Sequence, residues 1–428
     1  MGTNENHRTR QLEPVEAGAA GRRSAIVVGG GVGGLAAAIG LRRIGWTATV
    51  LEQAPELRAA GSGWSFARNG EQAADALGFG EEFRACSVPT QAAANLLTPS
   101  GRYLMRFRPG RDTPLLANHR ADMQRVLLDR LPAGWVRTGA EVTGVEEAGD
   151  QVTVTYRTAQ GPQRVAAEVL VAADGIHSTV RRLLWPEAPP PVFQRITCWR
   201  GVTEPGSVWP VDGFQTWGRG QRVGTHPLPN RRVYWFLTIR QDRPGVRYDD
   251  NLAEVRRRIG GWHQPIPALL AATRPEAVLC HDIFDLDPLP SYARGRVALL
   301  GDAAHAMTPF AAQGAGQALE DATVLAARLA GGAPVPEALV GYDRDRRPRS
   351  QRVAHLARTD PRISLSTNPL TWWLMTGLTR LSSSRLAERK TAWLWEWTPP
   401  QLAEGPAGRG RAVPEPDRPV PSRPVVHG

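Results

Sequence analysis

A chain of 428 residues with 42% hydrophobic residues is long enough for two packed units and too apolar to stay unfolded. Its net charge of +11 comes from arginine, since Lys390 is the sole lysine; scattered among acids with no run of like charges, it speaks for a solvated basic surface and against nucleic acid. Cys86, Cys198 and Cys280 are odd in number and widely spaced, which argues against a disulfide framework or a metal site, and no apolar run reaches membrane-span length.

Residues 1–23 are polar and unpatterned, and residues 399–428 are rich in Pro, Gly and Arg; both read as disordered tails. The stretch 12–20 is broken by Glu13, Pro14 and Glu16, so no export signal is visible and a cytoplasmic location is expected.

The first patterned segment is an apolar strand at 25–28, followed by Gly29, Gly31 and Gly34 in the spacing G-x-G-x-x-G. A helical pattern runs over 35–44 to Gly45, and a second strand over 47–51 ends at Glu52. Gly29 permits a tight turn, Gly31 lets the backbone approach a pyrophosphate, and Gly34 lets helix and strand pack closely. The helix start offers unpaired N–H groups to phosphate, and Glu52 stands where an acid accepts from a ribose. Dinucleotide binding follows, with FAD and NAD both open at this point.

Residues 92–108 read as a hairpin about Ser100-Gly101, and 119–131 as a helix opened by Arg120. A buried strand at 168–173 runs into Asp174-Gly175, with Arg181 in the charged helix beyond. Alternating, aromatic-rich strands at 196–202, 213–217, 221–227 and 232–239 predict an antiparallel sheet with one face against the rest of the molecule. Trp199, Trp217, His226 and Tyr234 are its candidates for stacking on, or hydrogen bonding to, an aromatic substrate; ordinary sheet packing is the competing reading for each. A last buried strand at 297–300 runs into Gly301-Asp302-Ala303-Ala304-His305, and Gln313 to Gln317 leads into a helix reaching about Ala330. Strand ends carrying Gly and Asp admit a ligand backbone and offer a carboxylate to sugar or ribityl hydroxyls.

The glycine triplet, the D-G-x-x-S-x-x-R stretch from Asp174 to Arg181, and the G-D-A-A-H stretch continuing through Pro309, Gln313-Gly314, Gln317 and Glu320-Asp321 together resemble the FAD-dependent aromatic hydroxylases, the group of p-hydroxybenzoate and salicylate hydroxylases. The resemblance covers about residues 24–397. It implies an α/β fold: a Rossmann-like FAD-binding domain of the glutathione reductase type (24–91, 119–190 and 277–355), interleaved with an antiparallel-sheet substrate domain (92–118 and 191–276), then a helical segment at 356–398. It further implies that Glu52 binds the adenosine ribose, Arg120 lies beside the pyrophosphate, Asp174 contacts FAD and the pyridine nucleotide with Arg181 supporting its loop, and Gly301-Asp302 takes the ribityl chain. Pro309 and the helix start at Gly314-Ala315 would face the flavin, where a helix dipole stabilises negative charge on the reduced ring. Phe310-Ala311-Ala312 departs from the Asn-Leu-Gly of many relatives, and Phe310 is expected to reshape the pocket over the flavin.

The activity implied is that of a monooxygenase using NAD(P)H and dioxygen, through a flavin C4a-hydroperoxide, to hydroxylate or epoxidise an aromatic or polycyclic small molecule in a dry pocket. No catalytic base is assigned, and His305 is expected to shape the flavin loop. A flavin halogenase would need an active-site lysine, which Lys390 does not supply; a dehydrogenase of the same fold and a non-catalytic flavin-binding partner are the other rivals. Trp372, Trp373, Trp393, Trp395 and Trp397 are expected to pack on the core or on a dimer partner in preference to a membrane.

Overall fold

The computed structural model describes residues 15–16, 22–57, 62–90, 95–106, 115–208, 211–382 and 384–402. Its centre is a sheet in the order Ala293–Arg294, Val297–Leu299, Val169–Ala172, Ser24–Val28, Thr47–Leu51, Val136–Arg137, parallel except for its first pair. Residues 25–28, 169–172 and 297–299 are runs of Val, Ile, Leu and Ala with no polar alternation, as strands of a sheet covered on both faces require. The helices Val32–Arg43 and Gly314–Ala330 pack together beside it, and a Cβ at Gly40 would lie 3.0 Å from that of Ala326, so the glycine sets their close approach.

Register decides where the motifs meet. Val28 pairs with Ala172, Ala172 with Leu299, and Val28 with Leu51, so these four strands end level. The residues just beyond them, Gly29, Ala173, Leu300 and Glu52, therefore emerge side by side at one sheet edge, where a doubly wound fold places its ligand.

The chain is interleaved α/β, and three segments pair differently from the sequence reading. Val15–Glu16, expected within a disordered tail, runs parallel to Val165–Ala166. It extends a meander of Glu141–Ala148, Gln151–Thr158 and Gly161–Ala167, whose free edge offers unpaired backbone groups. Of the expected tails, residues 1–14, 17–21 and 403–428 lie outside the described residues, and Leu402 packs on the main core. Leu115–His119 pairs with Gly63–Phe66 and Ser87–Thr90 in a separate three-stranded sheet, although the expected substrate domain includes it up to 118. Leu279–Asp285, expected in the FAD-binding domain, pairs with Val192–Val202 in the sheet that roofs the cavity described below. Backbone pairing joins segments distant in sequence, which local patterning does not record.

That roof has seven strands in the order Leu279–Asp285, Val192–Val202, Arg232–Arg240, Gln221–Leu228, Phe214–Gly218, Asn95–Leu97, Tyr103–Met105. The expected hairpin joins its edge, with Asn95–Leu97 parallel to Phe214–Gly218. One face carries a core of Trp199, Trp235, Leu237 and Val223 under the helices Asn251–Ile259 and Ile266–Ala271. The other faces the parallel sheet's ligand edge.

Three helices follow, Val335–Ser364, Pro369–Leu381 and Ser384–Trp395. Trp395 lines the cavity, Trp393 stacks under Arg352 at 4.0 Å and Trp397 packs on the main core, as a covered segment would. Trp373 does not pack on the core and is 69% exposed, because its helix turns an apolar face outward.

Candidate active site

Between the parallel sheet's ligand edge and the roof lies a cavity of about 640 Å³. Two helix starts open into it, Gly31 to Gly33 of Val32–Arg43 and Gly314-Ala315 of Gly314–Ala330, so two positive dipole ends and their free N–H groups converge there. A Cβ added at Gly31, Gly175 or Gly314 would meet nothing within 4 Å, whereas one at Gly29 would lie 2.2 Å from the Ala173 carbonyl oxygen and one at Gly34 1.9 Å from that of Gly29. The last two glycines are needed for backbone packing. The first three border open space, and with two helix starts they form a cradle into which a pyrophosphate and a flat ring system fit.

The acids expected at the strand ends take different stations. Asp302 projects into the cavity, open to it but walled by protein; burial raises its pKa, opposed by the nearby His305 and Arg120. Arg120 also lines the cavity, its guanidinium 5.0 Å over the Trp64 ring. Glu52 and Asp174 are not among the residues that line the cavity. The Glu52 carboxylate accepts from the backbone N–H groups of Gly30 (2.7 Å) and Ala54 (2.8 Å) and so holds the glycine turn. Asp174 Oδ2 accepts from Thr179 N (2.8 Å) and Val180 N (3.2 Å) at a helix start; its Oδ1 is buried without a partner, and burial raises its pKa. Arg181, buried in that helix, donates to the carbonyls of Ile176 and, at 2.7 Å, Ala303, tying the two loops together.

A buried ion network supports the Gly314 helix. Arg346, 1% exposed, donates to Asp321 (2.7 Å) and pairs with Glu320, which also receives Arg349 at 2.7 Å. His305 Nε2 lies 2.6 Å from Asp321, and Gly301 N donates to the same carboxylate at 2.9 Å. His305 is thus a strut between the Gly301 loop and the helix. Asn69 donates to Gln313 (2.8 Å) and Glu320 (2.6 Å), holding the residue before the helix. Pro309 and Phe310 border the cavity in a short turn that ends at Ala312 with φ 51, the left-handed region a glycine would occupy without strain.

On the roof, strand alternation sorts the aromatic candidates. Arg200 pairs with Phe236 and Phe236 with Gly224; Val202 pairs with Tyr234 and Tyr234 with His226. Cys198, Arg200, Tyr234, Phe236, His226, Arg222 and Trp217 all line the cavity. Trp199 points the other way, fully buried, its Nε1 donating to Asn251 at 3.0 Å; the sheet's two-residue period gives its neighbours Cys198 and Arg200 the cavity face instead. Gly224 makes room for the Phe236 ring, which a Cβ there would meet at 2.2 Å. Phe310 lies 5.2 Å beneath the Arg222 guanidinium, which is neutralised by Asp360 at 3.0 Å.

Arg200 is the group that sequence reasoning missed. It reaches the cavity with Cys198 and Tyr234 as its side-chain neighbours, and both hold its pKa up, Cys198 the more strongly. Among the described residues no carboxylate pairs with it. Period-two alternation about Trp199 was the signal that could have found it. Burial raises the Tyr234 hydroxyl and lowers His226 to about 4, so these two groups of the wall are neutral near pH 7.

The family described as FAD binding domain matches residues 22–357. The chain belongs to the FAD-dependent aromatic hydroxylase family. It is 34% identical over 380 residues to the aurachin C monooxygenase/isomerase of Stigmatella aurantiaca, covering 87% of this chain and 98% of that protein. It is 33% identical over 350 residues to the FAD-dependent urate hydroxylase of Klebsiella pneumoniae, covering 78% and 88%. Klebsiella pneumoniae HpxO, solved with FAD and uric acid, superposes with a TM-score of 0.78 at 29% identity, covering 86% of this chain and 96% of that one.

Proposed function

We propose that this protein is an FAD-dependent monooxygenase that takes electrons from NAD(P)H and inserts one atom of dioxygen into an electron-rich ring bearing an acidic oxygen or nitrogen. The observation that carries the reading is Arg200, a cavity-facing cation without an anionic partner among the described residues. A guanidinium so placed favours the ionised form of a substrate hydroxyl, enol or ring N–H, and ionisation enriches the ring in electrons. Flavin hydroxylation chemistry requires such a ring.

Bound FAD would supply the acceptance of electrons from NAD(P)H and the activation of dioxygen. The protein's own residues would do the rest. Gly31, Gly33 and Arg120 would hold the pyrophosphate, and Asp302 the ribityl hydroxyls. The Gly314 helix start would stabilise negative charge on the ring's pyrimidine edge. Glu52 and Asp174 would act mainly by shaping loops, since their carboxylates already accept backbone N–H groups. Tyr234, Phe236, Trp217 and Phe310 would position the substrate ring and exclude water, which a reactive oxygen species demands.

The test is a panel of phenols, hydroxyquinolones and hydroxypurines beside their O-methyl or N-methyl ethers, given to the yellow holoenzyme. The expected result is NAD(P)H oxidation coupled to oxygen uptake, with a product one oxygen atom heavier, for an ionisable compound and not for its ether. Reduction of an acceptor without oxygen incorporation across the panel would overturn the reading in favour of a dehydrogenase.

A further inference from the structure

We propose that the helix Pro369–Leu381 is a docking face for an anionic lipid surface. Leu370, Trp373, Leu374, Leu378 and Leu381 are 72, 69, 53, 58 and 86% exposed. Their spacing places all five on one stripe of the helix. The inward side carries none of these leucines: Thr376 is buried there and Trp372, Met375 and Thr379 are half-buried. A helix that only covered its neighbours would be arranged the other way round, with its leucines inward. Single exposed leucines carry no message, but a contiguous stripe of them with a tryptophan does.

The surroundings continue the stripe. The helix packs on the edge strand Tyr103–Met105, where Tyr103 is 43% exposed under the Arg106 guanidinium, 3.9 Å from its ring. Aromatic rings capped by arginine suit the boundary between lipid headgroups and acyl chains. Leu96, on the strand paired with that edge, lines the cavity, so the docking face adjoins the cavity wall.

Charge selects the occupant. Residues 362–390 contain Arg362, Arg380, Arg385, Arg389 and Lys390 against Glu388 alone. Arg362, Arg380 and Arg389 are exposed, as are Arg102 and Arg106 beside the edge strand. A second copy docked through the same face would bring two basic rims together, a like-charge juxtaposition that disfavours the dimer. An anionic bilayer complements both the apolar stripe and the rim. Among the described residues no helix is long and apolar enough to cross a membrane, so the contact would be peripheral.

The experiment is co-sedimentation of the FAD-loaded full chain with vesicles of phosphatidylcholine alone or of equal parts phosphatidylcholine and phosphatidylglycerol. Binding to the anionic vesicles is expected to be at least about tenfold tighter than to the neutral ones and to weaken as salt is raised. The pair Leu374→Glu and Leu378→Glu, both at the surface, should lower binding by about tenfold or more while the flavin spectrum and unfolding midpoint stay put. Hydrogen exchange on the unsubstituted chain reads the same face directly: vesicles should slow the amides of 369–381. No binding to anionic vesicles at low salt, or unchanged exchange in this helix on binding, overturns the proposal. So does a lipid-free dimer, seen by sedimentation equilibrium, that the double substitution dissolves.

Discussion

Arg200 and Tyr234 meet diagonally across two neighbouring strands of the roof, the guanidinium beside the phenol oxygen inside the cavity. The hydroxyl cannot neutralise the cation, which leaves it able to pair with an anionic substrate. Replacing Arg200 with Met is expected to raise KM for the ionisable substrate about 10- to 100-fold, the worth of one charge-assisted hydrogen bond, with FAD affinity unchanged. Steady-state oxygen uptake and a flavin titration measure the two quantities. A KM for the ionisable compound left unchanged by the replacement would remove Arg200 from substrate recognition.

The glycines of the first loop divide into two kinds, and substitution should separate them. Gly31 has extended backbone and open space where a Cβ would go, so Gly31→Val is expected to leave the apoprotein's unfolding free energy within about 0.5 kcal/mol while weakening FAD binding tenfold or more. Gly34→Ala would put a methyl against the Gly29 carbonyl oxygen and is expected to destabilise the fold itself by about 1–3 kcal/mol. Urea melts of apoprotein beside flavin fluorescence titrations distinguish the two outcomes.

The parallel sheet was legible because its signals are local. Three of its strands are apolar runs that stop close to Gly or Asp, and the ends fall level because Val28, Ala172 and Leu299 are in register. The pairing of Leu115–His119 and Leu279–Asp285 is not legible in the sequence because partners distant in the chain leave no local trace. In the site, aromatic size drew attention to Trp199, while the two-residue alternation that turns it away also presents Arg200. The ion network of Arg346 was invisible for a related reason. Glu320 and Asp321 read as polar residues of a helix, and the packing of neighbouring helices against it, Val335–Ser364 among them, buries them.

His226 supplies a prediction about acid stability. Burial lowers its folded-state pKa from 6.5 to about 4, so between these values the unfolded chain binds the proton and the folded one does not. Its contribution is therefore complete above pH 6.5 and is lost as pH falls toward 4, by at most about 3 kcal/mol, an upper bound because the ring borders an open cavity. His119 and His281 are depressed by burial too and act in the same direction. The urea midpoint of His226→Gln should fall less between pH 6.5 and 4.5 than that of the unsubstituted protein; parallel slopes would exclude His226 as a source.

Arg346 should be among the costliest residues to truncate. Its replacement by Ala leaves Glu320 with Arg349 and Asp321 with His305, but strips each buried carboxylate of a charge partner, which typically costs about 3–5 kcal/mol. Burial opposes ionisation of Asp321, yet His305 and then Arg346 outweigh it and hold the carboxyl down to about 2. The stability this provides is present above the ordinary carboxylate range near pH 4 and is lost as pH falls toward 2. Without Arg346 the Asp321 carboxyl must protonate at higher pH, so the acid unfolding limb should move upward as well as the urea midpoint downward. Because Asp321 also accepts from Gly301 N, flavin release should quicken in step, which stopped-flow fluorescence would record. An Arg346→Ala protein with normal acid stability and normal flavin retention would show that the network does not brace the site.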